Sequence, residues 1–322
     1  MKPAKIRHVF FVILVLGIIP WAGCSTTQNL YQTVMPGDTY TELKKRVLLL
    51  PFTNQSDLGA EHVEEFTSRL VTGLNKKGYF LIIRPSSPVP TSAKIRSPGY
   101  GILIDPEQAK WAEEMGMNVL LTVVVPPFEV QTEKKGIWPF RKFRRMLELS
   151  MVVNALDVTN GTLLLTHLES RRIRLPEFDE LEVDEFDLSF DEKQIKTRFT
   201  QSYKPSEIDQ NKLAKAWSEI INDQASAITE ALREQPWSGR ILSVDSQNIL
   251  INAGQDVGLK QGTLFDVFSQ GETIVSGTGR SFNLLGQKVG EIKVVETMNQ
   301  RASAVPSQGG PFMPGQIIQS KN

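Results

Sequence analysis

The chain has 322 residues, of which 40% are hydrophobic and 22% charged, and its 36 basic residues balance its 36 acidic ones. This composition is sufficient for one large or two medium globular domains, and the lack of a basic excess disfavours a general nucleic-acid binder. The single cysteine excludes an intramolecular disulfide and a cysteine-rich zinc site.

The N-terminus has the organisation of a secretory signal peptide. Three basic residues lie among the first seven, and 15 uncharged residues follow from Val9 to Gly23. The uncharged run is shorter than the roughly 18 residues that a spanning helix needs, and Pro20 would interrupt such a helix. Removal of residues 1–23 would leave 33 basic and 36 acidic residues, so the mature chain would carry a net charge of −3.

Ala22-Gly23-Cys24 ends this run and resembles the lipobox of bacterial lipoproteins. In that family the cysteine thiol is diacylated, the signal peptide is cut before it, and the new N-terminus is acylated. The resemblance therefore implies a lipid anchor at Cys24, and Ser25 at the sorting position implies the outer membrane. Three acyl chains would hold the protein durably, since each buried methylene contributes about 0.8 kcal/mol. A buried core cysteine and an uncleaved N-terminal anchor are the alternatives.

The segment 46–235 predicts an α/β domain, which follows a polar tether over residues 24–45. Three short apolar runs are typical of buried strands, namely 46–52, 79–83 and 118–125. Two helical patterns separate these runs, and they end at Gly78 and Gly116. Strands that alternate with helices favour a sheet with helices packed against it.

A hairpin and a long helix come next in the sequence. Thr159-Asn160-Gly161 separates apolar runs at 146–157 and 162–171, and Asn-Gly between such runs predicts a tight turn. A helix is expected from about 206 to 234. The segment 239–322 holds 12 of the 23 glycines and several short β-like runs, so it predicts a small all-β barrel or sandwich domain.

Catalytic and metal-binding motifs are incomplete in this sequence. No serine has the Gly-x-Ser-x-Gly context, and no glycine pair precedes a P-loop lysine. His62 and His167 are the only histidines after residue 23, and neither lies in a zinc-binding pattern. We therefore expect no enzyme, no cofactor and no metal; a hydrolase that uses paired carboxylates is the weakest alternative.

Two charged segments are candidate interaction surfaces. The basic cluster has four candidate residues, Arg141, Lys142, Arg144 and Arg145, which together with Lys134-Lys135 flank two aromatic residues. It fits a lipid headgroup layer, the anionic neighbours of peptidoglycan or a solvated loop between strands. The acidic arm, residues 177–192, has nine acidic and no basic residues, including Glu182, Asp184 and Glu185. A solvated strand, a basic partner and weak calcium binding are its alternatives, and a contact between the two segments is a further hypothesis.

Four motifs in the first domain carry a family resemblance: Arg46-Val-Leu-Leu-Leu-Pro-Phe-Thr-Asn-Gln-Ser, Tyr79-Phe-Leu-Ile-Ile-Arg84, Ala112-Glu-Glu-Met-Gly-Met-Asn-Val-Leu-Leu and Leu156-Asp157-Val-Thr-Asn-Gly161-Thr. With them the stretch resembles the curli-secretion lipoprotein (CsgG-like) superfamily. That fold also occurs in the N-terminal domain of TolB and in lipoproteins that activate peptidoglycan synthases. The resemblance implies a mixed-sheet α/β domain.

Five motifs in the last domain carry a second resemblance: Gly239-Arg-Ile, Ile251-Asn-Ala-Gly254, Val257-Gly-Leu-Lys-Gln-Gly262, Phe265-Asp-Val and Gly290-Glu-Ile-Lys-Val. With them the segment 239–319 resembles the C-terminal domain of the flagellar assembly protein T family. Members of that family are periplasmic and help to build a ring around the flagellar basal body. The resemblance implies a role in assembly.

The sequence as a whole predicts a non-enzymatic lipoprotein on the periplasmic face of the outer membrane. It would be a scaffold in a flagellar ring or secretion-type complex, with envelope proteins and further copies of itself as partners. A regulator of a peptidoglycan synthase and an oligomeric curli-type secretion component are the alternatives. Curli relatives form pores from amphipathic hairpins, whereas the two charged segments here lack the apolar strands of about 9–11 residues that a pore needs.

Overall fold

Strand β1 (Lys45–Leu49) lies inside a mixed sheet and is buried along its whole length. The computed structural model of the chain describes residues 42–90, 105–135, 142–176, 208–246, 248–275 and 281–321. Val47 and Leu49 belong to one core cluster, and Leu48 belongs to a second. Because successive side chains of a strand point to opposite faces, β1 is covered on both sides. The prediction of a buried strand here is confirmed.

Seven strands form the mixed sheet. Strand β1 pairs in parallel with β3 (Phe80–Ile83) and β4 (Val119–Val125), and β4 pairs in parallel with β2 (Thr53–Asn54). Strand β6 (Lys142–Asp157) is antiparallel to all its neighbours, which are β4, β5 (Glu129–Lys135) and β7 (Leu163–Arg174). The β6–β7 hairpin turns at Asn160-Gly161, as the sequence predicts, with Gly161 at φ +75°.

Three helices in the described ranges cover the two faces of this sheet. Helices α1 (Ala60–Asn75) and α3 (Gln210–Arg233) share one core cluster, in which the rings of Phe66 and Trp217 lie 4.6 Å apart. Helix α2 (Pro106–Glu114) packs through the buried Ala112 against the other face. Among the described residues, no helix has the length and apolar character needed to cross a membrane.

The C-terminal strands close into a six-stranded antiparallel barrel with its own core. The strands follow in the chain as β8 (Ser238–Asp245), β9 (Asn248–Ile251), β10 (Leu264–Val275), β11 (Ser281–Thr297), β12 (Ala302–Gly309) and β13 (Ile317–Ser320). Their order around the barrel is β10, β11, β12, β9, β8 and β13. Of the two β architectures that the sequence allows, the barrel is therefore the one that forms.

The structure differs from the sequence-based expectation at several element boundaries. Helix α3 begins at Gln210 rather than near 206, because the side chain of Asp209 caps it by accepting the backbone N–H groups of Asn211 and Lys212. Strand β6 begins at Lys142 rather than at Met146, and β5 and β13 are additional strands. The described residues from Glu42 onward belong to one compact unit, in which the mixed sheet and the barrel are in direct contact.

Candidate functional site

A cleft of about 490 Å³ opens at the carboxyl ends of β1 and β3. The chain leaves β1 toward α1 on one face of the sheet, whereas it leaves β3 toward α2 on the opposite face. Sheets that contain parallel strands bind ligands in the crevice between two neighbouring strands whose connections diverge in this way. Its position and its volume, which is within the range of small-ligand sites, make the cleft a candidate binding site.

The turn between β1 and α1 forms one wall of the cleft. Asn54 Oδ1 accepts hydrogen bonds from the backbone N–H of Ser56 at 3.0 Å and from its hydroxyl at 2.7 Å, while Asn54 Nδ2 donates to Leu58 O at 2.9 Å. These bonds hold the turn that precedes α1. The helix itself begins after Gly59, which supplies no capping side chain.

An ion pair forms the opposite rim of the cleft. Arg84 Nη1 and Nη2 each donate to one oxygen of Glu64 at 2.9 Å, in a bidentate arrangement. Both side chains are about half exposed, so the pair contributes less than about 1 kcal/mol to stability. Because the two charges cancel and Phe52, Leu58 and Val63 supply apolar surface, the cleft is suited to an uncharged, apolar group.

Arg46 connects the mixed sheet to the barrel. Its guanidinium donates to both carboxylate oxygens of Asp256, from Nε at 2.9 Å and from Nη2 at 2.8 Å. It also donates to the carbonyl of Asn252 at 2.6 Å and that of Gln300 at 3.1 Å. The planar five-donor group suits such a site, and all three of these partners belong to the barrel.

Further polar contacts cross the same junction. Asn118 Oδ1 accepts the backbone N–H of Arg46 at 2.7 Å within the sheet, and Asn118 Nδ2 donates across the junction to Ser238 O. Trp237 Nε1 donates to Lys44 O at 3.1 Å. Arg240 pairs with Glu113 at 2.7 Å. Several hydrogen bonds and an ion pair therefore join the mixed sheet to the barrel in one defined arrangement.

A buried lysine of β1 binds the C-terminal end of α3. Lys45 Nζ donates to the carbonyls of Leu232 and Gln235, both at 2.6 Å, and so satisfies acceptors that a helix leaves free at its C-terminus. Burial lowers the pKa of Lys45, and burial raises the pKa of Asp157. These shifts follow from desolvation at a packed interface, which accounts for them without a catalytic role.

The two histidines in the described part of the chain, His62 and His167, have surroundings that indicate structural roles. His167 Nδ1 lies 3.0 Å from Gln224 Oε1, and the fully buried Gln224 donates to Met151 O at 2.7 Å, which ties α3 to the sheet. His62 is about half exposed at the start of α1. Within the described ranges no three residues of the His, Cys, Asp and Glu types are placed to hold a metal ion.

The residues predicted as sites fall into two groups. Cys24, Arg141, Glu182, Asp184 and Glu185 lie outside the described residues. The rest of the basic cluster belongs to β6, where Lys142 is the first residue, Arg144 is half-buried and Arg145 is buried at 7% exposure. Lipidation and the interaction surfaces remain predictions, although the burial of Arg145 limits its contribution to any surface charge.

The barrel extends into a two-stranded ribbon that the sequence analysis missed. Strand β13 pairs with β10 only as far as Phe268, and β12 pairs with β11 only from Gly290 onward. Residues 269–275 and 281–288, called the ribbon, therefore form strand pairs only with each other among the described residues. Leu284 and Leu285 on the ribbon are 47% and 43% exposed. The polar run from Ser269 to Thr273 concealed this extension in the sequence.

Comparisons with known proteins identify no family for this chain. No protein-family profile matches it, and no curated protein matches it. The solved structures that it resembles include the hypothetical protein CT253 from Chlamydia trachomatis, at 12% identity over 58% of this chain and 99% of that chain, with a TM-score of 0.30.

Two further similar structures are the lipoprotein GNA1162 from Neisseria meningitidis and a putative neuraminyllactose-binding hemagglutinin homolog from Helicobacter pylori. The first is 17% identical over 40% of this chain and 83% of that chain, with a TM-score of 0.27. The second is 9% identical over 62% of this chain and 98% of that chain, with a TM-score of 0.34. With TM-scores below 0.5, neither a fold nor a function is transferred from them, and the CsgG-like and flagellar resemblances remain predictions.

Proposed function

We propose that this chain is a lipid-anchored protein of the bacterial cell envelope that acts as a scaffold and catalyses no reaction. The observation that carries the proposal is the position of Cys24, which follows Ala22-Gly23 at the end of a charged and then apolar N-terminal segment. Ser25 after the cysteine favours the periplasmic face of the outer membrane. A flagellar ring or a secretion-type complex is the assembly that the sequence motifs favour.

The junction around Arg46 supports a scaffold role. Because Arg46, Asn118 and Arg240 bond the mixed sheet to the barrel, surfaces on the two parts keep a fixed relation to each other. A tether of about 20 residues reaches at most about 70 Å from the membrane. Confinement within this distance of the membrane would raise the effective concentration of the chain near other envelope proteins, so that weak contacts with them would suffice for assembly.

The lipid anchor is tested by replacing the acceptor residue. We expect the Cys24→Ala chain to lose incorporation of labelled palmitate and to leave the membrane fraction, whereas the neighbouring Thr26→Ala control keeps both properties. Ser25→Asp should retain the chain in the inner membrane. If Cys24→Ala remained membrane-bound and the parent chain took up no palmitate, the lipoprotein proposal would be wrong.

The scaffold role is tested by crosslinking in intact cells, followed by purification of the membrane-anchored chain. We expect basal-body or secretion components in stoichiometric amounts. Recovery of a peptidoglycan synthase instead, with a change in its activity on addition of the chain, would replace the scaffold role by a regulatory one.

A further inference from the structure

We propose that strand β3 and the adjoining cleft form a binding site for an extended, apolar peptide segment of a partner protein. The segment would add to the sheet as a further strand beside β3 and would place one apolar side chain in the cleft. This assignment uses only the mixed sheet and helix α1, so it does not depend on the lipid anchor.

The first support is the free outer edge of β3. Among the described residues this strand pairs only with β1, from Phe80 to Ile83. Every second residue of a strand directs its N–H and C=O groups to the same side, so a strand of this length offers about two donors and two acceptors outward. Another extended backbone can form hydrogen bonds with this row of N–H and C=O groups. The edge therefore suits a peptide segment in the extended conformation.

The second support is a contrast between the two edges of the same sheet. Strand β7, at the opposite edge, pairs only with β6 in the described part of the chain and carries Glu169, Arg171 and Arg172 along its length. Charged side chains of this kind protect an edge from unwanted pairing. The segment from Gly78 to Ile83 has no charged residue, and Leu81 to Ile83 are half-buried, so β3 lacks this protection.

The third support is that the edge leads directly into the cleft. Arg84 and Pro85 follow β3 without interruption, and both line the cleft. A segment that runs along β3 therefore arrives at the cleft. The volume of about 490 Å³ accepts a side chain as large as phenylalanine, and the apolar lining with its neutralised Arg84–Glu64 rim favours an uncharged one.

The test begins by selecting ligands from a phage-displayed library of random decapeptides on the full mature chain. The selection is repeated on Val63→Phe, which fills the cleft, and on Ser68→Phe, an exposed position of the same helix outside the cleft. We expect enriched peptides with alternating apolar residues that bind Val63→Phe at least tenfold more weakly and bind Ser68→Phe unchanged. Failure to enrich any peptide that distinguishes these two variants overturns the proposal.

The added-strand geometry is tested with two N-methylated forms of an enriched synthetic peptide. One form is methylated at odd positions and the other at even positions, so each blocks the donors on one side of the strand only. We expect one form to lose at least tenfold in affinity and the other to bind as before. Equal binding by both forms would contradict the added-strand geometry. A chain that lacks residues 25–41 serves as a second comparison. If the peptide bound only to this shortened chain, the occupant of the site would be the chain's own segment and the assignment to a partner peptide would be wrong.

Discussion

Arg46 is a charged residue within a buried strand, and its partners explain how the fold accommodates it. A buried guanidinium is costly unless its donors are satisfied and its charge is paired. Here a bidentate carboxylate and two carbonyls of the barrel accept from it, and its side chain is 6% exposed. The residue therefore makes the buried strand and the barrel dependent on each other.

Replacement of Arg46 by methionine should destabilise the chain by about 3–5 kcal/mol, because it leaves the carboxylate of Asp256 buried without its partner. Arg46→Lys keeps the charge but loses the bidentate geometry, so we expect an intermediate loss. Urea unfolding measures the free energy of unfolding of both variants. The control is Arg69→Gln, which removes an exposed pair with Glu65 and should cost no more than about 0.5 kcal/mol. Equal effects of Arg46→Met and the control would refute this reading of the junction.

Glu291 on the barrel gives a prediction for the pH dependence of stability. Hydrogen bonds from Lys321 and Lys288 lower the pKa of its carboxyl to about 2. A carboxyl whose pKa is lower in the folded than in the unfolded chain contributes stability above its unfolded pKa, near 4.5, and this contribution disappears as the pH falls toward 2. An NMR titration of the side chain should find the low midpoint, and Lys321→Met should raise it. A midpoint near 4.5 in the parent chain would contradict the arrangement.

At the scale of the element, glycines determine where helices α1 and α2 end. Gly78 and Gly116 follow these helices with φ of +75° and +70°. Residues with a Cβ atom are strained in this left-handed region, whereas glycine is not. Both ends are confirmed as the sequence predicts them, because the signal is a local backbone requirement.

Gly78→Ala isolates the backbone strain, because a Cβ atom at this position would meet nothing within 4 Å. We expect a loss of about 1 kcal/mol in the free energy of unfolding. Gly78→Asn should lose less, since asparagine tolerates this region better than alanine does. Thermal or urea unfolding of the two variants makes the comparison. A neutral Gly78→Ala would mean that the helix end adjusts to another conformation.

The elements also show where sequence reasoning stops. Apolar runs and Asn160-Gly161 predicted β1, β3, β4 and the β6–β7 hairpin, because each pattern is local. Strand β13 was missed since Ile317 and Ile318 are too short a run to signal a strand, and their role is defined only by closure between β10 and β8. The cleft was missed for a similar reason: Val63 and Arg84 are distant in sequence and meet only through the parallel pairing of β1 and β3.

At the scale of the whole molecule, the mixed sheet and the barrel have separate cores but a shared boundary. The core between the sheet and helices α1 and α3 contains Trp217, and the barrel core contains Trp237, both nearly inaccessible to solvent. The sequence predicts two domains, because the glycine content of the chain increases after residue 239. Nothing in that pattern indicates that Arg46 and Asn118, early in the chain, bond to residues more than 100 positions later.

This boundary predicts that the two cores unfold together. Loss of the barrel would leave the Arg46 guanidinium without Asp256 and the carbonyls of Asn252 and Gln300, so an intermediate with only the sheet folded is disfavoured. The amide NMR signals of the mixed sheet and those of the barrel, followed in the parent chain, should therefore be lost at the same urea midpoint. Adding Arg46→Met together with Asn118→Ala should separate the two midpoints, because it removes the bonds that couple the cores. Distinct midpoints in the parent chain would show that the junction does not couple them.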